Sequence, residues 1–497
     1  MGQELLRLQN GSDVRGVALQ TEGEKVTLNK ETAYAIARAF ARAVKKQNPD
    51  KKEGYIATVG MDSRLSGPVL KGAVMRGLSA EGFRVYDAAL SSTPAIFMST
   101  VFEEINADCG IMITASHLPA NRNGMKFFTR SGGANKEMIR QILLDATLEP
   151  VQMGECDIVP LNLTKRYAAH LINVIRKRTG KATPLSGKKI IVDAGGGAGG
   201  FFVDILHALG ADTSGSLFLA PDGTFSGHIP NPENAEVLSN FAQQVVLQKA
   251  DMGIIFDTDV DRAAVVDKGG KIIARNALIA LMTLIVLKDG KPRPTIVTDS
   301  VTSAALKEFI ESNGAVHHRF KRGYKNVIDE AVRLNEAGQY APLAIETSGH
   351  GALMENYFLD DGAYMAVKIL ILYASLIEEN KNVSDLLENF EEAKEAQELR
   401  MHIDGEDFQA YGNQALNAFA HYAAQQTGWE IEAPNYEGVR IKADEQNGDG
   451  WALMRLSLHD PIMVINIESR RAGGVAIIKE KMLQALAPFE NIKPKIK

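Results

Sequence analysis

The hexapeptide DTDVDR, residues 257–262, sets three carboxylates at alternate positions directly after the apolar run MGIIF. In an extended strand, alternate residues lie about 7 Å apart along one face, so Asp257, Asp259 and Asp261 can share one ion only if the chain curls into a loop. Placement at a strand end predicts that loop. Oxygen-only donors select a hard cation, and Mg²⁺ would keep open positions for a phosphate oxygen. A solvated acidic turn is the other reading of the same residues. An EF-hand is excluded, because its glycine position is Arg262 and its closing glutamate position is Lys268. Arg262 beside three carboxylates makes sense where an anion is also bound, and its planar fork suits a phosphate.

Four further stretches carry reactive or polar groups. In TASHLPANRNGMKFF, residues 114–128, Ser116 and His117 follow the apolar strand 109–114. A serine at the C-terminal end of a sheet strand lies where open α/β sheets bind ligands, although a Ser-His pair is also common loop decoration. A hydrolase elbow is excluded, since G-x-S-x-G is absent. ETSGHGA, residues 346–352, combines an acid, a hydroxyl and an imidazole, equipment for a polyhydroxylated ligand or for a plain turn. In RLSLHDP, residues 455–461, Arg455, Ser457 and backbone amides would make either an anion nest or an ordinary strand turn. DAGGGAGG, residues 193–200, is weak as a dinucleotide fingerprint and reads better as a tight strand-to-helix turn.

These groups need a scaffold. A chain of 497 residues is too long for one core and predicts about three or four domains. Strand and helix alternate through residues 31–105, which implies a mostly parallel sheet covered on both faces. The pattern restarts at KKIIVDAGGG and again near Asn276, giving three similar α/β blocks. The apolar run 277–287 is well short of the roughly 20 residues of a membrane span and reads as a buried helix. A long helix is expected from Gly362, and a charged stretch, 377–396, leads to a last hundred residues of strands and polar turns, a smaller α+β domain.

A net charge of −6 offers no general attraction to nucleic acid or anionic membrane, so an anionic ligand must be held by local Arg and Lys groups. Two cysteines give neither a disulfide framework nor a zinc pattern, and MGQELLRLQN lacks the apolar stretch of a secretory signal. A reducing cytoplasm is the expected location.

Together, and in this order, the motifs resemble those of the α-D-phosphohexomutases, the phosphomannomutase and phosphoglucomutase superfamily, over essentially the whole chain. TASHLP with NGMK is similar to that family's phosphoserine loop, DTDVDR to its metal loop, IETSGH to its sugar loop and RLSLHDP to its phosphate loop. KRGYKNVI resembles its K-x-G-H segment, which brings in Lys321 and Tyr324. The resemblance implies three similar mixed α/β domains around a central cleft plus a smaller C-terminal α+β domain. The expected boundaries are 1–162, 163–275, 276–393 and 394–497.

It further implies that Ser116 carries a phosphoryl group and helps Asp257, Asp259 and Asp261 hold Mg²⁺. Arg15, His117, Lys126 and Arg262 would surround that phosphoryl. Glu346 and Ser348 would grip sugar hydroxyls, Arg455 with Ser457 would clamp the phosphate at the far end of the substrate, and His350, Lys321, Tyr324 and His459 would be further substrate-binding residues. The expected reaction interconverts 1- and 6-phosphates of mannose or glucose through a hexose 1,6-bisphosphate, which also serves as activator. A phosphoglucosamine mutase, a metal-dependent sugar-phosphate phosphohydrolase and a non-catalytic sugar-phosphate binder are the alternatives. Partners would be hexose phosphates, with no nucleic acid or membrane, and the protein a monomer or homodimer. Three positions depart from the family pattern. Leu118 replaces an asparagine, His459-Asp460 replaces Thr-Glu, and Tyr324 stands where many members have histidine. A phenol with a pKa near 10 shuttles protons poorly at neutral pH, which leaves Lys126 or His350 as acid/base candidates.

Overall fold

The structure is a computed structural model that describes the chain apart from residues 1, 52–53, 153, 155, 289–291, 458–459 and 495–497, so the expected site residue His459 lies outside the described residues. The chain divides into two compact units, one of residues 1–274 with 348–385 and one of 275–347 with 386–497.

The first unit contains two sheets. In the larger, Tyr55–Met61 pairs in parallel with both Phe83–Leu90 and Cys109–Ile113. Cys109–Ile113 then pairs antiparallel with Arg122–Thr129, and that strand antiparallel with Asp13–Val17. The sheet is therefore mixed and not mostly parallel. The reason is length: residues 114–121 make a loop too short for the dozen or more residues of a parallel crossover, so the chain turns straight back. Helix Lys30–Gln47 is capped by Asn29, whose side chain accepts from Thr32 N. Its small buried residues, Ala33, Ala37 and Ala41 among them, let it lie against helix Gly67–Ala80 in the first core.

The smaller sheet runs in the order Lys271–Ile273, Ala263–Asp267, Met252–Phe256, Ile190–Asp193. Among these four strands Ile190–Asp193 and Met252–Phe256 pair in parallel, and the other two pairings are antiparallel. Phe256 faces Ala263 across an antiparallel pair, which makes residues 257–262 the tip of a hairpin and supplies the expected loop. Helix Ala235–Leu247 covers one face through Val237, Phe241 and Val245. The long helix Gly362–Glu378 packs on the same sheet and on helix Leu163–Thr179.

The second unit pairs a parallel layer with an antiparallel one. Strands Val316–Arg319, Thr295–Thr298 and Leu343–Ile345 are parallel, with Thr295–Thr298 in the middle. The apolar run forms helix Arg275–Leu287 and is almost entirely buried, as its composition predicts. The last hundred residues form a six-stranded antiparallel sheet in the order Trp429–Ile431, Val439–Ala443, Gly450–Leu456, Ile462–Ser469, Glu395–Ile403, Ile492–Pro494. Helices Phe408–Ala424 and Gly474–Leu486 pack against it around Phe419, Ile465 and Ile478. Arg440 ties the two layers together. Its guanidinium lies over Trp451 at 3.7 Å and donates to the carbonyls of Ser300 and Thr302 at 2.9 Å each. Among the described residues, no helix is long and apolar enough to cross a membrane.

Candidate active site

Ser116 occupies the left-handed backbone region, φ +47°, a strained conformation for a residue with a Cβ. Its surroundings hold it there. The Ser116 N–H donates to Thr114 Oγ1 at 2.9 Å, and Thr114 Oγ1 in turn donates to Asp62 Oδ2 at 2.7 Å. The Ser116 carbonyl accepts from Thr258 Oγ1 at 2.9 Å and from Arg64 Nη2. Arg64 is 1% exposed and also donates to the carbonyls of Leu118, Pro119 and Arg122 at 2.6, 2.7 and 2.9 Å. One buried guanidinium thus satisfies the inward carbonyls of the whole loop. Leu118 contributes only its backbone to this bracket, so its replacement of asparagine leaves the loop's support intact. Burial pushes the Asp62 carboxyl up to about 6, against the pull of Arg64.

The serine hydroxyl accepts from Arg15 Nη2 at 3.4 Å, and Asp13 steadies that guanidinium at 2.8 Å. Both come from the strand paired with Arg122–Thr129, where Arg15 faces Gly124. Lys126, on that strand, is buried between two acids of the hairpin tip: its Nζ lies 3.1 Å from Asp259 Oδ2 and donates to Asp261 Oδ2.

Asp257, Asp259 and Asp261 are fully buried, with one carboxylate oxygen from each lying within 4.8 Å of the others. Thr93 Oγ1 donates to Asp259 Oδ2, and Asp257 accepts from Arg262 Nε at 3.0 Å. Asp259 Oδ1 and Asp261 Oδ1 are buried without a hydrogen-bond partner. Orphaned carboxylate oxygens are costly, and an oxygen-only set of this size fits a hard cation such as Mg²⁺. Their titration diverges. Burial, then Asp261, drives Asp257 well above the ordinary carboxylate range. Burial also pushes Asp261 up, but Lys126, His350 and Arg262 outweigh it and hold that carboxyl well below the usual range.

The glycine turn expected at residues 193–200 has a specific neighbour. A Cβ on Gly197 would lie 2.5 Å from the Thr258 carbonyl oxygen, and Ala198 N donates to that oxygen at 2.8 Å. Gly197 is the glycine on which the hairpin tip rests, whereas Gly195 and Gly196 take positive φ, +55° and +67°, against Pro230 and Asp222.

Arg262 differs from its expected use. Its Nε donates to Asp257, its Nη1 to Asn231 at 3.1 Å and its Nη2 to His117 Nδ1 at 2.6 Å, with the residue 1% exposed. Its fork orients protein groups here. His117 must then carry its proton on Nε2; burial, followed by Arg262 and Arg15, lowers its pKa to about 2 and keeps it neutral. His350 is the opposite case. Burial opposes its charge, but Asp360, which accepts from Nδ1, and Asp261, 3.9 Å away, raise its pKa to about 9. A backbone bridge between Arg262 and His350 joins the two loops, and Ser348 is buried two residues earlier.

The second unit holds the remaining expected residues. Buried Glu346 accepts from Gly323 N at 2.6 Å, which fixes the loop carrying Lys321 and Tyr324; Tyr324 opens helix Tyr324–Glu336. Lys321 Nζ lies 5.9 Å from the centre of the Phe320 ring. The expected nest around Arg455 and Ser457 takes another form: Ser457 N donates to Ile462 O at 2.8 Å and Asp460 N to Ser457 Oγ at 3.3 Å, so these amides close the turn itself. Arg455 Nη1 lies 3.7 Å from Glu437 Oε1.

Sequence reasoning missed Asp62, Arg64, Thr93, Asn231, Asp360 and Glu437. Asp62 and Arg64 left a signal, since MDSRLSG, which contains both, follows an apolar strand as the other site loops do. Thr93 reads as part of a helix start, and that too is right, because Ser92 accepts from Ala95 N at 3.3 Å while Thr93 reaches Asp259.

Comparison with known proteins identifies the family. The family descriptions "Phosphoglucomutase/phosphomannomutase, alpha/beta/alpha" domains I, II and III match residues 6–149, 165–270 and 274–393. The chain is 30% identical over 463 residues to a phosphomannomutase/phosphoglucomutase of Pseudomonas syringae pv. tomato, covering 92% of this chain and 90% of that protein. It is 30% identical over 465 residues to a phosphoglucomutase/phosphomannomutase of Thermococcus kodakarensis, covering 92% and 93%. A crystal structure of a phosphoglucomutase/phosphomannomutase family protein from Burkholderia thailandensis superposes with a TM-score of 0.79 at 27% identity, covering 99% of both chains. With three α/β/α domains, a C-terminal domain of sheet and helices, and this buried acidic loop facing a serine, the chain belongs to the phosphoglucomutase/phosphomannomutase family, within the α-D-phosphohexomutase superfamily, and is a mutase, an intramolecular phosphotransferase.

Proposed function

We propose that this mutase interconverts the 1- and 6-phosphates of mannose or glucose through a phosphorylated Ser116 and a hexose 1,6-bisphosphate. The observation that carries the reading is a serine hydroxyl bonded to Arg15 in the cluster where Asp259 Oδ1 and Asp261 Oδ1 lie buried without hydrogen-bond partners.

Asp257, Asp259 and Asp261 would hold Mg²⁺, with Ser116 contributing an oxygen; when bound, the ion would offset charge on the phosphoryl oxygens. The sugar's free hydroxyl attacks phosphorus, the bond from phosphorus to Ser116 Oγ breaks, and a bisphosphate results. The proton that the hydroxyl gives up equals the one the departing Oγ needs. Lys126, buried beside the acids, and His350, protonated at neutral pH, are the proposed carriers. The bisphosphate then returns its other phosphate to Ser116, and external hexose 1,6-bisphosphate restores enzyme that has lost its phosphoryl group. Arg15 steadies the serine, and Arg262 keeps His117 neutral with Nε2–H as a donor. Glu346, Ser348 and His350 would grip sugar hydroxyls, while Lys321, Tyr324, Arg455, Ser457 and His459 would hold the far phosphate. Four domains, 1–162, 163–275, 276–393 and 394–497, would divide these tasks among themselves. Free Cys109 and Cys156 suit a reducing cytoplasm.

The test is ³¹P NMR of the protein with Mg²⁺, trace glucose 1,6-bisphosphate and either mannose 1-phosphate, glucose 1-phosphate or glucosamine 1-phosphate. A 6-phosphate should grow from the mannose and glucose esters without inorganic phosphate. Growth of inorganic phosphate alone would replace the proposal with a hydrolase, and turnover of glucosamine 1-phosphate alone would reassign the sugar.

A further inference from the structure

The turn between Ile431 and Val439 joins two loops to which the proposed function gives the distal phosphate. Asn435 Nδ2 closes it by donating to the carbonyls of Glu437 and Gly438 at 2.9 Å each. Gly438 has φ +61°, and a Cβ there would lie 2.1 Å from Met454 O and 2.9 Å from Arg455 Cβ, so the turn rests directly on the strand that carries Arg455. On its other side, the Tyr436 ring packs 5.0 Å from Phe320 and 5.4 Å from His318.

Between these two anchors stands Glu437. Its Oε2 accepts from Ser300 Oγ and from Arg322 N, the latter at 3.1 Å, and its Oε1 faces Arg455 Nη1 at 3.7 Å. One carboxylate is therefore keyed to three segments at once. An arginine side chain has many rotamers to lose, and a fixed carboxylate behind it removes much of that entropic cost before a ligand arrives.

We propose that Glu437 is a positioning residue that aims Arg455 and sets the Lys321–Tyr324 loop in register with it, so that affinity for the substrate's distal phosphate depends on a carboxylate that need not touch the substrate. This rests on the phosphohexomutase reading above. Glu437→Gln keeps the shape and an acceptor for Ser300 and Arg322 N but removes the charge facing Arg455.

The experiment is a double-mutant cycle on the full chain with Glu437→Gln, Arg455→Ala and the pair. Steady-state kinetics with glucose 1-phosphate would be read alongside the calorimetric Kd for glucose 6-phosphate. Glu437→Gln should raise KM and Kd about tenfold, in the range of groups that orient a ligand-binding side chain, with kcat changed less than about twofold. Glu437→Asp, which keeps the charge, should recover part of the loss. In the Arg455→Ala background, Glu437→Gln should add less than about twofold. An unchanged Kd, or an equal rise in both backgrounds, would overturn the proposal. If circular dichroism shows the Gln variant unfolded, Glu437→Ala, which also removes the charge, takes its place in the same cycle with the same criterion. Should wild type bind glucose 6-phosphate yet interconvert no hexose phosphate, the mutase substrate assignment fails, and the Kd cycle still decides the role of Glu437.

Discussion

The hairpin tip of the first unit and the Arg455 turn of the second handle charge in opposite ways. At the tip, like charges are packed side by side out of water and are tolerable only because Lys126 and Arg262 sit among them. At the turn, a partly exposed arginine faces Glu437, and the backbone closes on itself. The same contrast divides two histidines of the first unit: Arg262 and Arg15 help keep His117 neutral, whereas Asp360 and Asp261 keep His350 charged. In the proposed reaction, the groups that would face a developing charge are preorganised by burial, while the groups that would collect a ligand are braced at the base and left reachable at the tip.

Removing the Ser116 hydroxyl, the proposed phosphoryl acceptor, tests the first region most severely. Ser116→Ala should lower kcat on the order of 10⁴-fold or more and abolish ³²P labelling of the protein by glucose 1,6-bisphosphate. Labelling that persists would move the phosphoryl acceptor to another residue. The second region breaks at Arg440. Arg440→Ala leaves Glu432 and two carbonyls behind and should cost about 3–5 kcal/mol in urea unfolding; a cost under about 1 kcal/mol would deny it the role of tie between the two layers.

Asp259→Asn keeps the size of the side chain and removes one charge from the tip. It should lower kcat on the order of 10²–10³-fold and weaken Mn²⁺ binding in equilibrium dialysis, with unfolding little altered. Unaltered Mn²⁺ affinity would take Asp259 out of the cation set.

The smallest effect separates burial from chemistry. Asp361 caps helix Gly362–Glu378, accepts from Tyr167 Oη at 2.5 Å, and is pushed up to about 6 by burial. A raised carboxyl pKa means the folded state holds its proton longer than the unfolded state. Its contribution is thus present in acid and lost as pH rises through about 6. Asp361→Asn should gain about 2–3 kcal/mol on wild type between pH 4 and pH 7.5, from two or so pKa units at about 1.4 kcal/mol each. Parallel stability curves for the two proteins would refute the assignment.

Much of the first region was legible because its residues are contiguous. Three aspartates after an apolar strand announce a loop, and Ser116 with Lys126 falls within one short stretch. The antiparallel return at residues 114–121 could have been read as well, since the loop is too short for a crossover. What stayed hidden is made by segments far apart in the chain. Arg64 reaches carbonyls more than 50 residues away, Thr93 reaches Asp259 across 166, and Glu437 meets Ser300 across 137. A buried arginine in a loop carries no periodicity, and an acid in NYEGVR looks like a solvated turn until its partners are known. The paired amides of the Arg455 turn were missed for a different reason: spacing reveals which donors exist but not which have already been used.

Gly197 has no chemistry of its own, yet its missing side chain is the seat on which Thr258 rests. In a saturation library scored by growth, position 197 should reject every substitution as firmly as the acidic positions do, alanine included. A geneticist ranking such a map by severity would count it among the reacting groups. The constraint there is empty space, inherited as strictly as a functional group.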